Sequence, residues 1–198
     1  MPGPLLGNRI TQFNQNANIN NASISTNDIK DKKIVCYYTN WSQYRPKKGK
    51  YVPENIDAHL CTHVIFAFGW MKNNKLSSFD STDETKGGKI GLYQRVTDLK
   101  TKNPKLKVLL AVGGWSFGTE RFKTMSANQY NRRLFIFSAM DFLRQRNFDG
   151  LDLDWEFPRG TDDKKNFVAL LKVLITLLSY SLRAFLFLPS SLSSRIAL

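Results

Sequence analysis

Carboxylic acids at every second position are the feature of this sequence with the clearest chemical meaning. The segment Asp149–Pro158 reads DGLDLDWEFP, so Asp152, Asp154 and Glu156 alternate with apolar residues. Successive side chains of a β-strand point to opposite faces, which places the three carboxyl groups on one face, roughly 6.6 Å apart along the strand. The other face is apolar and suits packing beneath helices: Leu151, Leu153, Trp155 and Phe157.

Such a row of acids favours catalysis over a purely structural role. Burial and neighbouring like charges both oppose ionisation, so the row is costly to keep without a function. Three such acids titrate as a coupled set, and one that stays protonated near neutrality can act as a general acid. Glu156 stands at the C-terminal end of the strand, where the active sites of βα-barrels lie. A Ca²⁺ or Mg²⁺ site and an exposed acidic edge strand are the alternatives.

The elements that must position this row alternate between strands and helices. Apolar runs predict four strands: Lys33–Trp41, Thr62–Trp70, Lys107–Trp115 and Gly150–Phe157. Apolar residues at helical spacing predict three helices: Lys89–Lys102, Ala127–Arg146 and Asp162–Leu178. This order indicates an α/β fold with a parallel sheet, either open or half of a barrel. A nucleotide-binding fold is disfavoured because no Gly-rich loop follows the first strand.

Composition and charge narrow the class of protein. The chain has 198 residues, 42% of them hydrophobic, and a net charge of +13, which fits one globular domain. Its basic residues form only short pairs, such as Lys47-Lys48, so we expect a solvated surface and no nucleic-acid partner. The run Val173–Leu188 is too short and too interrupted to predict a membrane span.

The two ends of the chain differ from its middle. Residues 1–32 are polar, lack a recognisable secretory signal and predict a flexible head, whereas residues 179–198 form a Ser/Leu-rich tail. Asn-X-Ser sequons begin at Asn21 and Asn40 and matter only if the chain is secreted. Cys36 and Cys61 could form a disulfide or remain two buried thiols.

The acidic segment resembles the D-x-x-D-x-D-x-E signature of family 18 glycoside hydrolases, the chitinases. The third predicted strand supports the resemblance, since Gly113-Gly114-Trp115 is similar to the family's S-x-G-G strand, with Ala111 in the place of Ser. The first two strands also resemble those of animal chitinases. The similarity runs from about residue 33 to 172, so it implies the first four βα units of a (β/α)8 TIM barrel and a partial catalytic domain over residues 33–178.

The resemblance assigns roles to the acids. It implies hydrolysis of β-1,4-linked N-acetylglucosamine, with Glu156 protonating the glycosidic oxygen and the substrate's own acetamido carbonyl attacking the anomeric carbon. Asp154 would hold the acetamido N–H, and Asp152 would hold Asp154 and exchange a proton with it. No cofactor or metal is implied, and the expected partner is chitin or a chitooligosaccharide.

The resemblance also implies the sugar-binding surface, for which core packing of the rings is the alternative. Its residues are predicted to be Tyr37, Trp41, Phe68, Gly114, Trp115 and Phe157. Phe157 departs from the Tyr that many family members have. The resemblance further pairs Cys36 with Cys61 as a disulfide, which implies an oxidising compartment and secretion.

A whole barrel needs about 250 residues, so the sequence predicts a truncated form. The later strands of the family are missing, and four βα units would leave sheet edges through which the chain could self-associate. A chitin-binding, lectin-like protein and a non-functional truncated isoform are therefore the alternative functions. Such lectins usually lose the final Glu of the signature, which this sequence retains as Glu156.

Overall fold

Four parallel strands form the centre of the fold. The computed structural model describes residues 32–183, with side chains described through residue 177. The sheet has the order β1-β2-β4-β5, and β3 pairs antiparallel with the end of β2. The strands are β1 Val35–Thr39, β2 His63–Lys72, β3 Lys75–Ser77, β4 Lys107–Gly113 and β5 Gly150–Asp154. The predicted α/β class with parallel strands is confirmed.

Helices follow the strands as predicted, with differences in detail. They are α1 Leu92–Thr97, α2 Leu99–Lys102, α3 Thr119–Ser126, α4 Gln129–Gln145 and α5 Gly160–Arg183, together with 3-10 helices at Asn40–Tyr44, Lys47–Gly49, Pro53–Asn55 and Trp115–Phe117. The single helix predicted over residues 89–102 is wrong, because Gly91 is extended and two short helices follow it. The sequence did not predict β3 and α3, which are three and eight residues long, too short for a clear periodic pattern.

The two faces of the sheet carry different cores. One face packs Phe66, Leu110 and Leu153 against the helices, in a large cluster that includes Phe135 and Leu170. The other face carries a small separate cluster, Ile65, Ala67, Leu109 and Ala111, with Phe68 packed against it. We call this second side of the sheet the inner face. Because strand side chains alternate, the central strands β2 and β4 supply both clusters, as barrel strands do.

Three predictions concern the terminal segments, a membrane span and the edges of the sheet. Residues 1–31 of the predicted head and 184–198 of the predicted tail lie outside the described residues, while α5 continues through 179–183. Within residues 32–183, no helix combines the length and the apolar character needed to cross a membrane. In that same range β1 pairs with β2 alone and β5 with β4 alone. Self-association through these edges stays a prediction.

A disulfide joins the first two strands. Cys36 lies in β1 and Cys61 lies two residues before β2, with their Cα atoms 6.1 Å apart. The residues alone left thiols and disulfide equally open, and the pairing implied by the resemblance is confirmed.

Replacing both cysteines, Cys36→Ser with Cys61→Ser, should lower the free energy of unfolding. The bond closes a loop with a sequence separation of 25 residues, which corresponds to about 3.5 kcal/mol in the chain-entropy model. Urea denaturation monitored by circular dichroism measures the loss. Reduced wild-type protein is the control and should show the same loss, and an unchanged stability in both samples would contradict the prediction.

Candidate active site

Two of the three predicted acids lie on the inner face of β5. Asp152 pairs in register with Ala111, and Asp154 pairs with Gly113. Asp152 is buried, with 4% of its surface exposed, whereas Asp154 is half-buried. Asp149, just before β5, accepts a hydrogen bond from Val108 N at 2.8 Å and therefore serves the opposite end of the strand.

Glu156 lies just beyond the strand and not within it. The predicted strand Gly150–Phe157 is too long, since β5 ends at Asp154. The reason is the partner strand: Gly113 opposite Asp154 is the last residue of β4, and Gly114 turns away with a φ of 81°. Glu156 is half-buried and follows Trp155.

Trp155 anchors the chain on which Glu156 stands. Its side chain is 5% exposed and stacks on Phe122, with ring centroids 5.2 Å apart. Its indole Nε1 donates to Thr119 Oγ1 at 2.7 Å. The predicted apolar row is correct for Leu153 and Trp155 but wrong for Phe157, which is 54% exposed because it follows the end of the ladder.

A tyrosine from the far side of the sheet holds the buried acid. Tyr37 of β1 donates its hydroxyl to Asp152 Oδ2 at 2.6 Å, across 115 residues of sequence. Its ring is 55% exposed, so packing in the core of the described residues does not explain it. Sequence reasoning placed Tyr37 at the site but predicted a sugar contact, and it missed this bond to Asp152.

Burial sets the protonation behaviour of these groups. Removal from water raises the pKa of Asp152, the Tyr37 hydrogen bond opposes this effect, and the charge of Asp154 adds to it. Removal from water also raises the pKa of Asp154. Burial and the bond to Asp152 raise the pKa of Tyr37 as well, so its hydroxyl stays a donor. The two aspartates thus form a coupled pair that takes up a proton more readily than free carboxylates do.

Two glycines allow the backbone of β4 to approach β5 and Phe68. A Cβ on Gly113 would lie 1.9 Å from Asp154 O, and one on Gly114 would lie 2.8 Å from the ring of Phe68. Gly114 N also donates to Asp154 O at 2.9 Å. Glycine at position 114 therefore leaves room for the ring of Phe68 on the neighbouring strand, and the predicted sugar contact of Gly114 stays a prediction.

Aromatic rings lie immediately after the strand ends. Trp41 follows β1, is 46% exposed, and stacks on Phe68 with centroids 6.1 Å apart and planes 16° apart. Trp115 follows β4 and is 80% exposed. Core packing is therefore not the role of Trp115 in the described part of the chain, and exposed flat rings of this kind can stack on sugar faces.

The geometry does not favour the alternative of a cation site. Among residues 32–183, no three His, Cys, Asp or Glu side chains converge closely enough to hold a metal ion. A Ca²⁺ site needs six to eight oxygen ligands.

Two further polar residues near the site were missed. Asn40 begins an Asn-X-Ser sequon, yet it is 3% exposed and its Nδ2 donates to the carboxylate of Asp83. A glycan on this nitrogen is incompatible with the folded chain. Thr119, which holds Trp155, was also missed. Neither partnership has a local sequence signal, because the partners lie 43 and 36 residues apart.

Comparison with known proteins identifies the class of enzyme to which this fold and site correspond. The profile of glycosyl hydrolases family 18 matches residues 33–186. Mouse chitotriosidase-1 is 55% identical over 146 residues, which are 72% of this chain and 30% of that protein. The chain belongs to glycosyl hydrolase family 18, and it spans less than a third of this relative.

Solved structures agree with this assignment. The active chitinase of Trichuris suis superposes with a TM-score of 0.72 at 39% identity, covering 78% of this chain and 41% of that one. Human YKL-39, a pseudo-chitinase with retained chitooligosaccharide binding properties, superposes with a TM-score of 0.70 at 40% identity, covering 83% and 42%. An active chitinase and a pseudo-chitinase therefore both share the part of the fold that this chain covers.

Removing the hydroxyl of Tyr37 should raise the pKa of Asp152 further. In Tyr37→Phe the hydrogen bond that favours the carboxylate is lost, while the burial that opposes it remains. Carbon-13 NMR titration of the Asp carboxyl resonances, with Asp152 assigned through Asp152→Asn, measures the change. Tyr38→Phe is the matched control, since Tyr38 packs in the helix-side cluster. An equal Asp152 titration in both variants would refute this coupling.

Adding a methyl group at Gly114 should destabilise the fold. Gly114→Ala places a Cβ against Phe68 and forces a backbone at φ 81° and ψ 170° that essentially only glycine adopts. We expect a loss of roughly 1–3 kcal/mol in the free energy of unfolding, measured by urea denaturation. Gly150→Ala is the control, because its Cβ would meet Leu109 at an ordinary 3.5 Å. Equal losses in the two variants would contradict this explanation.

Proposed function

We propose that this chain carries the catalytic acids of a chitinase, which cleaves β-1,4 linkages between N-acetylglucosamine units. The observation that carries the proposal is the buried Asp152 on the inner face, held by Tyr37, with Asp154 beside it and Glu156 just past the strand end. Membership of family 18 and the similarity to chitinases over this same stretch support it.

The proposed reaction uses the substrate's own acetamido group. Glu156 donates its proton to the glycosidic oxygen as the bond to the anomeric carbon breaks. The acetamido carbonyl oxygen attacks that carbon from the opposite face and forms an oxazolinium ion. Water then opens the oxazolinium ring and gives a proton to the Glu156 carboxylate. The anomeric configuration is therefore retained, and no carboxylate nucleophile is needed.

The aspartate pair would stabilise the positive intermediate. Asp154 accepts a hydrogen bond from the acetamido N–H, which gains acidity as the oxazolinium forms. Burial raises the pKa of both Asp152 and Asp154, so the pair can hold one proton between them and release it toward Asp152 when Asp154 must be charged. Tyr37 favours the charged form of Asp152 through its hydrogen bond.

The aromatic surface is proposed to bind the sugar chain. Trp41 and Phe68 form a stacked pair, and Trp115 stands exposed beyond the next strand. Phe157 is half-exposed beside the acid and offers a ring without the hydroxyl of a tyrosine. Flat rings would face the apolar faces of successive N-acetylglucosamine units. Gly114 leaves room for the Phe68 ring, since a Cβ there would lie 2.8 Å from it.

Sugar binding without hydrolysis is the second candidate function. The similarity to human YKL-39 at 40% identity supports it, since that protein is a pseudo-chitinase with retained chitooligosaccharide binding properties. The presence of Glu156 favours hydrolysis over this alternative. For location, the Cys36–Cys61 disulfide supports secretion, because such bonds persist in oxidising compartments.

Glu156→Gln should abolish hydrolysis while leaving sugar binding intact. Loss of a general acid lowers turnover by roughly 100-fold or more, which hydrolysis of a fluorogenic chitobioside measures. Affinity for chitotetraose, measured by calorimetry, should stay within about twofold, well below the roughly tenfold that 1.4 kcal/mol represents. Glu120→Gln is the control, since its side chain is 80% exposed.

The outcomes separate the candidate functions. Equal turnover by wild type and Glu156→Gln would exclude Glu156 as the acid. Binding of chitotetraose without hydrolysis by wild type would favour the lectin-like function. Neither binding nor hydrolysis by wild type would reject both and favour a non-functional isoform.

A further inference from the structure

A buried carboxylate outside the acidic row is bound to the residue that precedes Trp41. Asp83 is fully buried at 0% exposure, and Asn40 is 3% exposed. Asn40 Nδ2 lies 3.2 Å from Oδ1 and 3.3 Å from Oδ2 of Asp83, and Asp80 N donates to Oδ2 at 3.0 Å. The mechanism proposed above gives this acid no role.

The loop that carries Asp83 is fixed to α1. Its carbonyl groups at Thr82 and Asp83 accept from Leu92 N and Tyr93 N, each at 3.0 Å. Gly91 permits this packing, because a Cβ there would lie 2.4 Å from Asp83 O. The backbone of Asp83 is therefore anchored on one side, while its carboxylate holds Asn40 on the other.

Asn40 in turn belongs to the short helix that presents Trp41. The 3-10 helix Asn40–Tyr44 follows β1 directly and contains both residues. Trp41 is 46% exposed, and its ring contacts Phe68 by stacking. We propose that Asp83 is a positioning residue for Trp41, which it fixes through Asn40 so that the ring can receive a sugar unit. This inference rests on the proposed function for its ligand but not for its geometry.

The charge of Asp83 makes this clamp sensitive to pH. Burial raises the pKa of Asp83 to about 6, and the charges of Asp80 and Glu84 add to the effect, while the bonds from Asp80 N and Asn40 oppose it. Tyr93 on α1 and Tyr38 on β1 also feel its charge. Arg146, which follows α4, pairs with Glu84 at 2.9 Å, and Arg95 of α1 pairs with Glu54 at 2.6 Å. Asp83 is thus ionised at pH 7 and largely protonated at pH 5.

The direction of the effect follows from the hydrogen bonds. The carboxylate accepts from Asn40 through both oxygens, whereas the protonated acid has one oxygen that donates. The clamp on Asn40 therefore weakens as the pH falls through about 6. The pKa of Asp83 in the folded chain is raised above its value in the unfolded chain. The contribution of Asp83 to folding stability therefore increases as the pH falls, while the clamp on Asn40 weakens. Sugar affinity and stability should respond to this one group with opposite signs.

The first test needs no sugar. Among the four indole N–H resonances of the chain, the one absent from Trp41→Phe belongs to Trp41. In wild type it should shift with a midpoint near pH 6, where Asp83 titrates, and in Asp83→Asn this shift should vanish. Asp98→Asn, the same change at an exposed site, should keep it. A shift that persists in Asp83→Asn would overturn the proposal.

The second test measures chitotetraose affinity at pH 7 and pH 5. We expect wild type to bind roughly fivefold more weakly at pH 5, the difference between hydrogen bonds to charged and neutral acceptors. Asp152 and Asp154 titrate in every variant, so the test compares the pH dependence of wild type with that of Asp83→Asn. The fivefold loss of affinity at pH 5 that is due to Asp83 should be absent from Asp83→Asn. In a Trp41→Ala background the Asp83→Asn change should have no effect. If Asp83→Asn bound chitotetraose more weakly than wild type by the same factor at pH 7 and pH 5, the role of Asp83 would be merely structural.

A third variant covers a failure to fold. If Asp83→Asn gives a collapsed proton–nitrogen spectrum, Asn40→Ala breaks the same link and leaves Asp83 in place. Its Trp41 resonance should then be insensitive to pH near 6, and a retained shift would reject the clamp. If wild type binds no chitotetraose at any pH, the proposed function fails, while the indole titration still decides whether Asp83 positions Trp41.

Discussion

A single hydrogen bond, from Tyr37 to the buried carboxyl of Asp152, summarises what the fold must achieve. Their strands β1 and β5 are separated by β2 and β4. Three inter-strand steps of about 4.8 Å would put the strands roughly 14 Å apart in a flat sheet, with side chains standing parallel to one another. A contact of 2.6 Å therefore requires the sheet to curl toward its inner face. This curvature is what brings residues from the two edge strands into one site.

The two faces of the sheet have different roles: one packs against the helices, and the other carries the aspartates of the site. The side toward the helices holds the large apolar cluster, which includes Phe66, Leu110 and Leu153. Among the described residues, the inner face carries the small apolar cluster of Ile65, Ala67, Leu109 and Ala111, and the aspartates of β5 lie on this same face. Their desolvation raises the pKa of both aspartates, and this cost is the source of their ability to share a proton.

Around this centre, backbone features decide where the rings stand. The glycines at positions 113 and 114 end β4 and leave room for Phe68, on which Trp41 stacks. Trp155 is held by Thr119 and Phe122, and it fixes the chain segment from which Glu156 extends. The loop containing Asp83 fixes the Trp41 helix from outside the site. Trp41 and Trp155 therefore each depend on polar and steric contacts with other elements.

The amino-acid sequence by itself determined the α/β class, the four parallel strands, the shared face of Asp152 and Asp154, and a long helix, predicted over residues 127–146 and found at Gln129–Gln145, because these depend on local periodicity. Only the tertiary structure decided that β5 stops at Asp154, that Tyr37 binds Asp152, and that the sequon residue Asn40 is buried against Asp83. The last two outcomes join residues that are 115 and 43 positions apart. Periodicity carries no information on such pairs, which arise when the sheet curls and the loops close over its edge.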